Sequence, residues 1–223
     1  MAVTGNRGKR LNQYVADYVV FDLETTGISI MRDQIIEISA IKVRGHEEVE
    51  RFSTLVNPKM HIPARASAVN GITDDMVAVA PVLAKVLPDF MDFIGKDVLV
   101  GHNIHTFDLG FLCLASEDIL MKSVGNDYVD TLYMARSCLP QLAHHRLLDV
   151  SEYFGISTEG AHRALNDCVM NQRCYEKLGR LLGDAEILTC PKCGGELMKR
   201  NGKFGVFFGC GNYPVCRYTK NIR

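Results

Sequence analysis

The feature that most constrains the fold is a short apolar run that ends in two acidic residues. Residues 18–21 read Tyr-Val-Val-Phe, and Asp22 and Glu24 follow at a spacing of two. A run of this length predicts a buried central strand, and the spacing places both carboxylates on one face of it. Because the two carboxylates repel each other, we expect a cation between them, and such hard oxygen ligands suit Mg²⁺ or Mn²⁺. The alternative is a strand end whose two acids face solvent.

The rest of the pattern predicts an α/β sheet with mixed strand directions. Ile35–Val43 and Glu50–Val56 alternate apolar and polar residues, and with the first strand they form a predicted antiparallel meander. Two further short strands are predicted at Val98–Val100 and Tyr128–Asp130. The predicted helices begin at Pro81 and Thr131 and cover Phe107–Ser116, Leu147–Phe154 and about His162–Leu182. Strands first, then alternating strands and helices, are typical of this fold class.

A second polar cluster follows the predicted strand Val98–Val100. His102, Asn103 and His105 come at the end of that strand, and Asp108 falls in the first turn of the next helix. The helix dipole favours a carboxylate there, so Asp108 alone would be an ordinary first-turn acid. Three polar side chains just before it favour a functional site.

A third cluster contains His162 and Asp167, which are five residues apart. On a regular helix such residues diverge by about 140°, so they cannot share one helix face. We therefore expect His162 to lie just before the helix, where it can move, and Asp167 to lie one turn inside. This arrangement suits a mobile base beside a fixed metal ligand, whereas a lone histidine here would be an ordinary helix-start residue.

Together these motifs resemble those of the DEDDh exonucleases. They read FDxETTG at 21–27, GHN and FDxxFL within 101–112, and HRAxxD at 162–167, and the resemblance covers roughly residues 17–182. That family includes the proofreading epsilon subunit of bacterial replicative polymerases and the exonuclease region of the Gram-positive replicative polymerase. It implies a ribonuclease-H-like, mixed five-stranded sheet flanked by helices. Many members have four steps from the Asn to the second Asp, whereas Asn103 and Asp108 are five apart, so we expect a different substrate-facing loop.

The resemblance also implies a mechanism and its residues. Asp22, Glu24 and Asp167 would hold one Mg²⁺ or Mn²⁺, and Asp22 would bridge to a second ion that Asp108 supports directly or through water. His162 would take the proton from the water that attacks the terminal phosphodiester at the 3′ end. The products would be nucleoside 5′-monophosphates. The substrate contacts expected around this site are Thr25, Thr26, Asn103 and Phe107. Thr25 and Thr26 begin a turn after the first strand and are expected to offer small side chains and free N–H groups beside the metal.

The last 34 residues carry four cysteines in the spacing C-x2-C-x16-C-x5-C. Cys190, Cys193, Cys210 and Cys216 suit a closed tetrahedral structural Zn²⁺ site. About 35 residues cannot form a self-sufficient core, so the metal would supply the folding energy. The alternative, a redox CxxC with two stray thiols, lacks the strand–helix context of such motifs. The segment resembles the C-terminal zinc ribbon of type IA topoisomerases, which implies binding of single-stranded DNA.

Charge and aromatic residues also favour a nucleic-acid role for the ribbon. Its 35 residues hold seven Lys/Arg and one acid, or +6, whereas the rest of the chain holds 18 basic and 25 acidic residues, or −7. A basic tail on an acidic body suggests a polyanionic partner. Single strands are held by aromatic rings among basic residues, so we expect strand contacts from Phe204, Phe208 and Tyr213. Phe207 is expected in the small core of the ribbon.

Four segments are therefore predicted: a loose basic leader over 1–16, an exonuclease domain over 17–183, a hinge over 184–188 and a C4 zinc ribbon over 189–223. No apolar stretch approaches the roughly 20 residues of a membrane span. No apolar run follows the basic N-terminus, as it would in a signal peptide. We therefore expect a cytoplasmic protein with no membrane partner, and without a secretory signal its eight cysteines favour metal binding over disulfides.

The expected substrate is single-stranded DNA or a frayed 3′ end, in proofreading or DNA repair, with a DNA polymerase as a candidate partner. RNA ends are the alternative, because nothing in the metal ligands discriminates a 2′-hydroxyl. A non-catalytic nucleic-acid-binding module is the second alternative. The presence of all four carboxylates and the histidine argues against it.

Overall fold

The computed structural model describes residues 8–182, 190–195, 197–202 and 205–221. The strands are β1 Arg10–Leu11, β2 Tyr18–Thr25, β3 Ile35–Arg44, β4 Glu47–Leu55, β5 Val98–Gly101, β6 Tyr128–Asp130, β7 Leu197–Gly202, β8 Gly205–Cys210 and β9 Thr219–Asn221. The helices are α1 Ala64–Asn70, α2 Asp74–Val77, α3 Leu83–Ile94, α4 Asp108–Leu120, α5 Thr131–Cys138, α6 Leu147–Tyr153 and α7 Ala164–Leu182.

The main sheet has six strands in the order β1-β6-β5-β2-β3-β4. The pairs β2–β3 and β3–β4 are antiparallel, and β5 and β6 run parallel to β2. The predicted meander, the mixed directions and the α/β class are therefore confirmed. Gly45 and His46 join β3 to β4, and both have positive φ angles of 54° and 75°. Two such residues form the tight turn whose twist matches that of a hairpin.

Strand β2 is buried on both faces and separates two apolar cores. Val19, Phe21 and Leu23 pack in one core with α3 and α4. Tyr18 and Val20 point to the opposite face and pack with α5, α6 and α7. Because strand side chains alternate, the even-numbered residues of β2 face α7. This alternation directs Asp22 and Glu24 toward α7.

The interpretation of residues 1–16 as a loose leader is wrong for the residues that the structure describes from Gly8 onward. Strand β1 pairs in parallel with β6 and adds a sixth strand to the predicted five. The N–H of Val15 donates to the hydroxyl of Tyr175 at 2.9 Å, and the ring of Tyr14 stacks on Tyr175 at 4.9 Å. A two-residue strand has no periodicity of its own, and its partner lies more than 100 residues away, so the local pattern did not reveal it.

The start of α3 also differs from its prediction. Pro81 was expected to open the helix, but its carbonyl accepts the N–H of Asn57 at 2.9 Å, and Asn57 and Val82 form an isolated parallel bridge. The chain is therefore extended up to Val82, and the helix begins at Leu83.

The C-terminal module is a three-stranded antiparallel sheet in the order β7-β8-β9. Its buried cluster consists of Cys190, Leu197, Cys210 and Cys216, with Phe208 and Tyr218 packed against it. The predicted hinge lies outside the described residues. Of the helices that the structure describes, none combines the length and the apolar character that crossing a membrane requires.

Candidate active site

Three carboxylates from two elements meet at the end of β2. Asp22 and Glu24 project from β2, and Asp167 projects from the first turn of α7. One carboxylate oxygen from each residue lies within 4.8 Å of the other two. The structure therefore brings together the three residues that were expected to share one metal ion.

The electrostatics of this cluster favour a bound cation. Burial raises the pKa of Asp22 well above its usual range, and the charges of Asp108 and Asp167 raise it further. Burial and the charge of Asp167 raise the pKa of Glu24 to about 8, and burial raises the pKa of Asp167 to about 6. A divalent cation would offset this repulsion, and carboxylate oxygens are the ligands of Mg²⁺ and Mn²⁺. The donor set fits the divalent ion that the sequence motifs predicted.

Asp108 lies beside this cluster rather than in it. It is the first residue of α4 and is buried, and its Oδ1 accepts the N–H of Leu23 at 3.1 Å. Burial raises its pKa to about 7, although that hydrogen bond opposes the shift. Asp108 is outside the group of three close oxygens, as expected for a residue that would support a second ion.

His162 lies before α7, as predicted, because the helix begins at Ala164. Its φ angle is +66°, its side chain is exposed, and its N–H donates to Oδ1 of Asp167 at 3.3 Å. The backbone of His162 is thus tied to a carboxylate of the cluster while its imidazole faces solvent. An imidazole in this position is available to a water molecule at the cluster.

The sequence patterns missed a buried ion pair that anchors this segment. Glu37 on β3 lies directly across from Glu24 on β2, and its carboxylate is buried. The guanidinium of Arg163 donates to both Glu37 oxygens, at 2.7 and 3.2 Å, and the N–H of Ala164 donates to Oε2 at 3.0 Å. Glu37 therefore holds the start of α7, between His162 and Asp167. The only sequence signal for it is an acid at an otherwise apolar position of a buried strand.

Two of the expected substrate contacts, Asn103 and Phe107, lie between the end of β5 and the start of α4. Asn103 is half-buried with a φ angle of +63°, and its N–H donates to Oδ1 of Asp130 at 3.0 Å. Phe107 is half-buried and packs on Phe111, with ring centroids 5.1 Å apart.

Thr25 and Thr26 were expected to offer free N–H groups and small side chains beside the metal. Thr26 is fully buried, its N–H donates to the carbonyl of Gln34 at 2.9 Å, and its hydroxyl donates to Asp33. The Thr25 hydroxyl donates to the carbonyl of Gly27 at 2.6 Å. The expectation of a free N–H is wrong for Thr26, because the group closes the loop between β2 and β3.

The four ribbon cysteines form the second candidate metal centre. Their sulfur atoms all lie within 4.8 Å of one another. The distance between Sγ atoms is 3.8 Å for Cys190 and Cys216, and 3.4 Å for Cys193 and Cys210. Four thiolates at about 2.3 Å from a tetrahedral Zn²⁺ are about 3.8 Å apart. The cysteine geometry therefore fits the predicted zinc ion.

The positions of Phe207 and Phe208 on β8 differ from the prediction for the ribbon core. Phe208 packs against the cysteine-lined core, whereas Phe207 is not part of that cluster and lines a surface groove with Tyr213 and Arg200. The expectation that Phe207 belongs to the core is therefore wrong, because neighbouring strand residues point to opposite faces. The exposed ring of Tyr213 remains available for contact, and Phe204 lies outside the described residues.

Comparison with known families divides the chain in the same way. Residues 19–175 match the family described as Exonuclease, and residues 187–223 match the family described as topoisomerase DNA binding C4 zinc finger. The resemblances noted in the sequence motifs are confirmed.

Two relatives are DNA polymerase III proteins. The chain is 42% identical over 176 residues to the PolC-type DNA polymerase III of Oceanobacillus iheyensis. This match covers 79% of this chain but only 12% of that polymerase. It is 35% identical over 161 residues to the DNA polymerase III subunit epsilon of Aquifex aeolicus. That match covers 72% of this chain and 79% of the subunit.

Solved structures share the fold at lower identity. Exonuclease X in complex with 5′ overhanging duplex DNA superposes with a TM-score of 0.62 at 23% identity, over 79% of this chain and 97% of that one. Exonuclease I superposes with a TM-score of 0.67 at 18% identity, over 76% of this chain and 43% of that one. These superpositions confirm the predicted ribonuclease-H-like architecture.

Proposed function

This chain belongs to the exonuclease family, and from that premise we propose that it hydrolyses DNA from the 3′ end to nucleoside 5′-monophosphates. The observation that carries the proposal is the meeting of Asp22, Glu24 and Asp167 within 4.8 Å, with the exposed imidazole of His162 beside them. The likeness to the epsilon subunit, which covers most of both chains, supports DNA as substrate and a role in proofreading or repair.

The carboxylates have distinct proposed roles toward two divalent ions. Asp22, Glu24 and Asp167 would hold one ion, and Asp22 and Asp108 would hold the second. Two such ions, when bound, stabilise the attacking and leaving oxygens of an in-line displacement at phosphorus. The hydrogen bond from the N–H of Leu23 to Oδ1 of Asp108 supports this division, because it fixes the Asp108 carboxylate against β2, next to Asp22 and outside the group of three close oxygens.

His162 is the proposed general base. A ring nitrogen of its exposed imidazole would accept the proton of the attacking water, the role that histidine most often takes in such reactions. The hydrogen bond between its backbone and Asp167 would keep the imidazole within reach of the cluster. Its position outside α7 lets the side chain turn without disturbing Asp167.

The zinc ribbon is proposed to hold the single strand that leads to the active site. Support comes from its +6 charge, from the exposed Tyr213 ring, and from the match to a DNA-binding zinc finger family. The similarity to DNA polymerase III proteins supports a polymerase as partner, which co-purification with a replicative polymerase would test.

The test uses oligonucleotides of one sequence, made as single-stranded DNA and as RNA and labelled at the 5′ end. With Mg²⁺ or Mn²⁺ we expect a ladder of labelled DNA shortened one nucleotide at a time, release of 5′-monophosphates, and no reaction in EDTA. Asp22→Ala and Asp167→Ala should each lower the rate by at least about 10³-fold. Asp89→Asn, on the exposed side of α3, is the matched control and should leave it unchanged.

Three results would contradict the proposal. Full activity in Asp22→Ala or Asp167→Ala would show that these carboxylates do not form the active site. Immediate release of the 5′ label as a mononucleotide would show that the protein degrades the strand from the 5′ end instead. Faster degradation of RNA than of DNA would favour the exoribonuclease alternative.

A further inference from the structure

A groove with a volume of about 650 Å³ opens beside the active site, between the end of β5 and the segment that joins α5 to α6. Its lining mixes polar and apolar side chains and includes two arginines. The residues that matter here are Asn103, Leu132, Arg136, His144, His145 and Arg146. Apart from His102 and Asn103, the residues of this lining have no role in the motifs described above.

The sheet places this groove next to the carboxylates. Strand β5 pairs in parallel with β2, with Val100 opposite Val20, so the chain that continues to Asn103 runs beside Asp22. Neighbouring strands are about 4.8 Å apart. Asn103 therefore lies on the border between the groove and the active site, and one molecule can extend from one to the other.

The wall of the groove is held in place by internal hydrogen bonds. The Nε2 of His102 donates to the carbonyl of His145 at 2.8 Å, and the Nε2 of His145 donates to the carbonyl of Leu139 at 2.9 Å. Arg146 donates three hydrogen bonds to Asp149, at 2.8 to 2.9 Å. A wall fixed in this way needs little reorganisation when a ligand binds.

Arg136 brings an unneutralised positive charge to this wall. It is exposed on α5, and among the described residues no acidic side chain pairs with it. Its guanidinium lies 5.7 Å from the ring of Tyr133. His144 is also exposed, whereas the charge of Arg146 is shared with Asp149. The groove thus offers a free guanidinium beside a site crowded with carboxylates.

The chemistry of the ligand follows from this charge and from the position of the groove. A guanidinium with no carboxylate partner binds phosphate through paired N–H donors. A 3′ exonuclease leaves a single nucleotide beyond the bond that it cuts. Any part of the substrate strand that reaches past the cleavage site therefore lies on the 5′ side of that bond.

We propose that this groove binds the phosphate backbone of the substrate strand on the 5′ side of the scissile bond, with Arg136 as its main phosphate contact. The proposal rests on the 3′ exonuclease function proposed above. It adds a positioning surface inside the exonuclease domain that is independent of the zinc ribbon. Binding there would hold the strand against the repulsion of the carboxylates.

The experiment compares two substrates in the full chain. The p-nitrophenyl ester of thymidine 5′-monophosphate occupies only the cleavage site, whereas single-stranded oligonucleotides of increasing length also enter the groove. Arg136→Ala should raise KM for the longer oligonucleotides about 5- to 10-fold and lower the slope of log affinity against log salt by about one. Arg136→Glu should have a larger effect. Neither variant should change hydrolysis of the ester.

Arg180→Ala is the matched control, because Arg180 is exposed on α7 about 20 Å along the helix from Asp167. It should change neither KM nor the salt slope. The groove assignment is overturned if Arg136→Ala behaves like Arg180→Ala, or if it slows the ester and the oligonucleotides equally.

Binding of a labelled oligonucleotide in Ca²⁺ separates the two proposals, because it does not depend on hydrolysis. If the protein proves inactive on 3′ ends but Arg136→Ala still lowers the salt-dependent affinity, the groove stands and the proposed reaction fails. If the protein is active and Arg136→Ala changes neither affinity nor salt slope, the groove assignment fails and the reaction stands.

Discussion

The exonuclease domain and the zinc ribbon use metal ligands in opposite ways. In the exonuclease domain, Asp22 and Glu24 extend from a strand whose other side chains fill two apolar cores. In the part of the ribbon that the structure describes, three of the four residues in the buried cluster are cysteines, and Leu197 is the fourth. The first fold is built from apolar residues and carries its candidate metal site at the end of a strand. The second has little core besides its metal ligands.

This difference predicts opposite responses to the loss of metal. The carboxylates repel one another without a cation, so the exonuclease domain holds them at the expense of its stability, and a divalent ion relieves that cost. The cysteines of the ribbon lose their shared partner, and no apolar core replaces it. We therefore expect metal to be needed for catalysis in one region and for folding in the other.

The largest expected effect is the loss of the ribbon fold in Cys210→Ser. Zinc binding supplies on the order of 10 kcal/mol to the folding of such modules, far more than so small a core can provide. We expect hydrogen-exchange protection of β7, β8 and β9 to disappear while the melting temperature of the exonuclease domain shifts by less than about 2 °C. Affinity for single-stranded DNA should fall and its salt dependence should flatten.

Asp22→Asn is the matched change in the other region, because it also removes one metal ligand. It should abolish nuclease activity and leave the protection of both regions intact. The proposed difference between the two regions is wrong if the ribbon of Cys210→Ser keeps its hydrogen-exchange protection, or if Asp22→Asn unfolds the exonuclease domain.

A smaller effect is expected from the ion pair that anchors α7. Glu37→Ala leaves the Arg163 guanidinium and the Ala164 N–H without their acceptor, so the free energy of unfolding should fall by about 2 kcal/mol. This estimate is below that for a fully buried pair because Arg163 is 41% exposed. The start of α7 should also shift, and a displacement of about 1 Å at His162 or Asp167 would lower kcat by about 10²-fold with little change in KM.

The exposed pair of Glu48 and Arg51 provides the control for this prediction. Glu48→Ala breaks an ion pair of the same type on β4, and exposed pairs contribute less than about 1 kcal/mol. Unfolding in urea and steady-state kinetics would measure both variants. A Glu37→Ala protein with the stability and kcat of Glu48→Ala would show that the buried pair does not position the site.

Local spacing explains what could be predicted from the sequence. Asp22 and Glu24 are two apart on a strand, so short-range geometry was enough to place these two carboxylates together. Their meeting with Asp167 was expected from the family resemblance, and the cysteine set was expected from its spacing along the ribbon. The position of His162 before α7 followed from helical periodicity, because two side chains that are five residues apart cannot lie on the same face of a helix. The mixed sheet followed from the order of apolar runs.

Long-range pairing explains what could not be predicted. Glu37 and Arg163 are 126 residues apart, and no pattern within either segment identifies the other. Strand β1 depends in the same way on β6. The roles of Phe207 and Phe208 depend on which face of β8 covers the cysteines, and this is set by pairing with β7 rather than by composition.

The smallest expected effect is a pH dependence of stability that reverses the usual sign for carboxylates. Burial and mutual repulsion raise the pKa values of Asp22, Glu24, Asp108 and Asp167, that of Glu24 to about 8, whereas unfolded Asp and Glu titrate near about 4. Between these values the folded protein keeps protons that the unfolded chain has released, so stability falls as pH rises. Asp149 contributes to this pH dependence with the opposite sign, because hydrogen bonds from Arg146 lower its pKa to about 2. Its contribution changes only below a pH of about 4, outside the range in which the four clustered carboxylates act.

In buffer free of Mg²⁺ and Mn²⁺, we therefore expect the melting temperature of the exonuclease domain to fall by a few degrees from about pH 5 to about pH 8. Asp22→Asn should reduce this fall, since it removes one charge from the cluster, and added Mn²⁺ should reduce it most at the higher pH. Calorimetry of both proteins across this range would measure the difference. Equal slopes in the two proteins would mean that the carboxylates are not strained in the folded state, and the contrast between a costly catalytic site and a stabilising zinc site would then be lost.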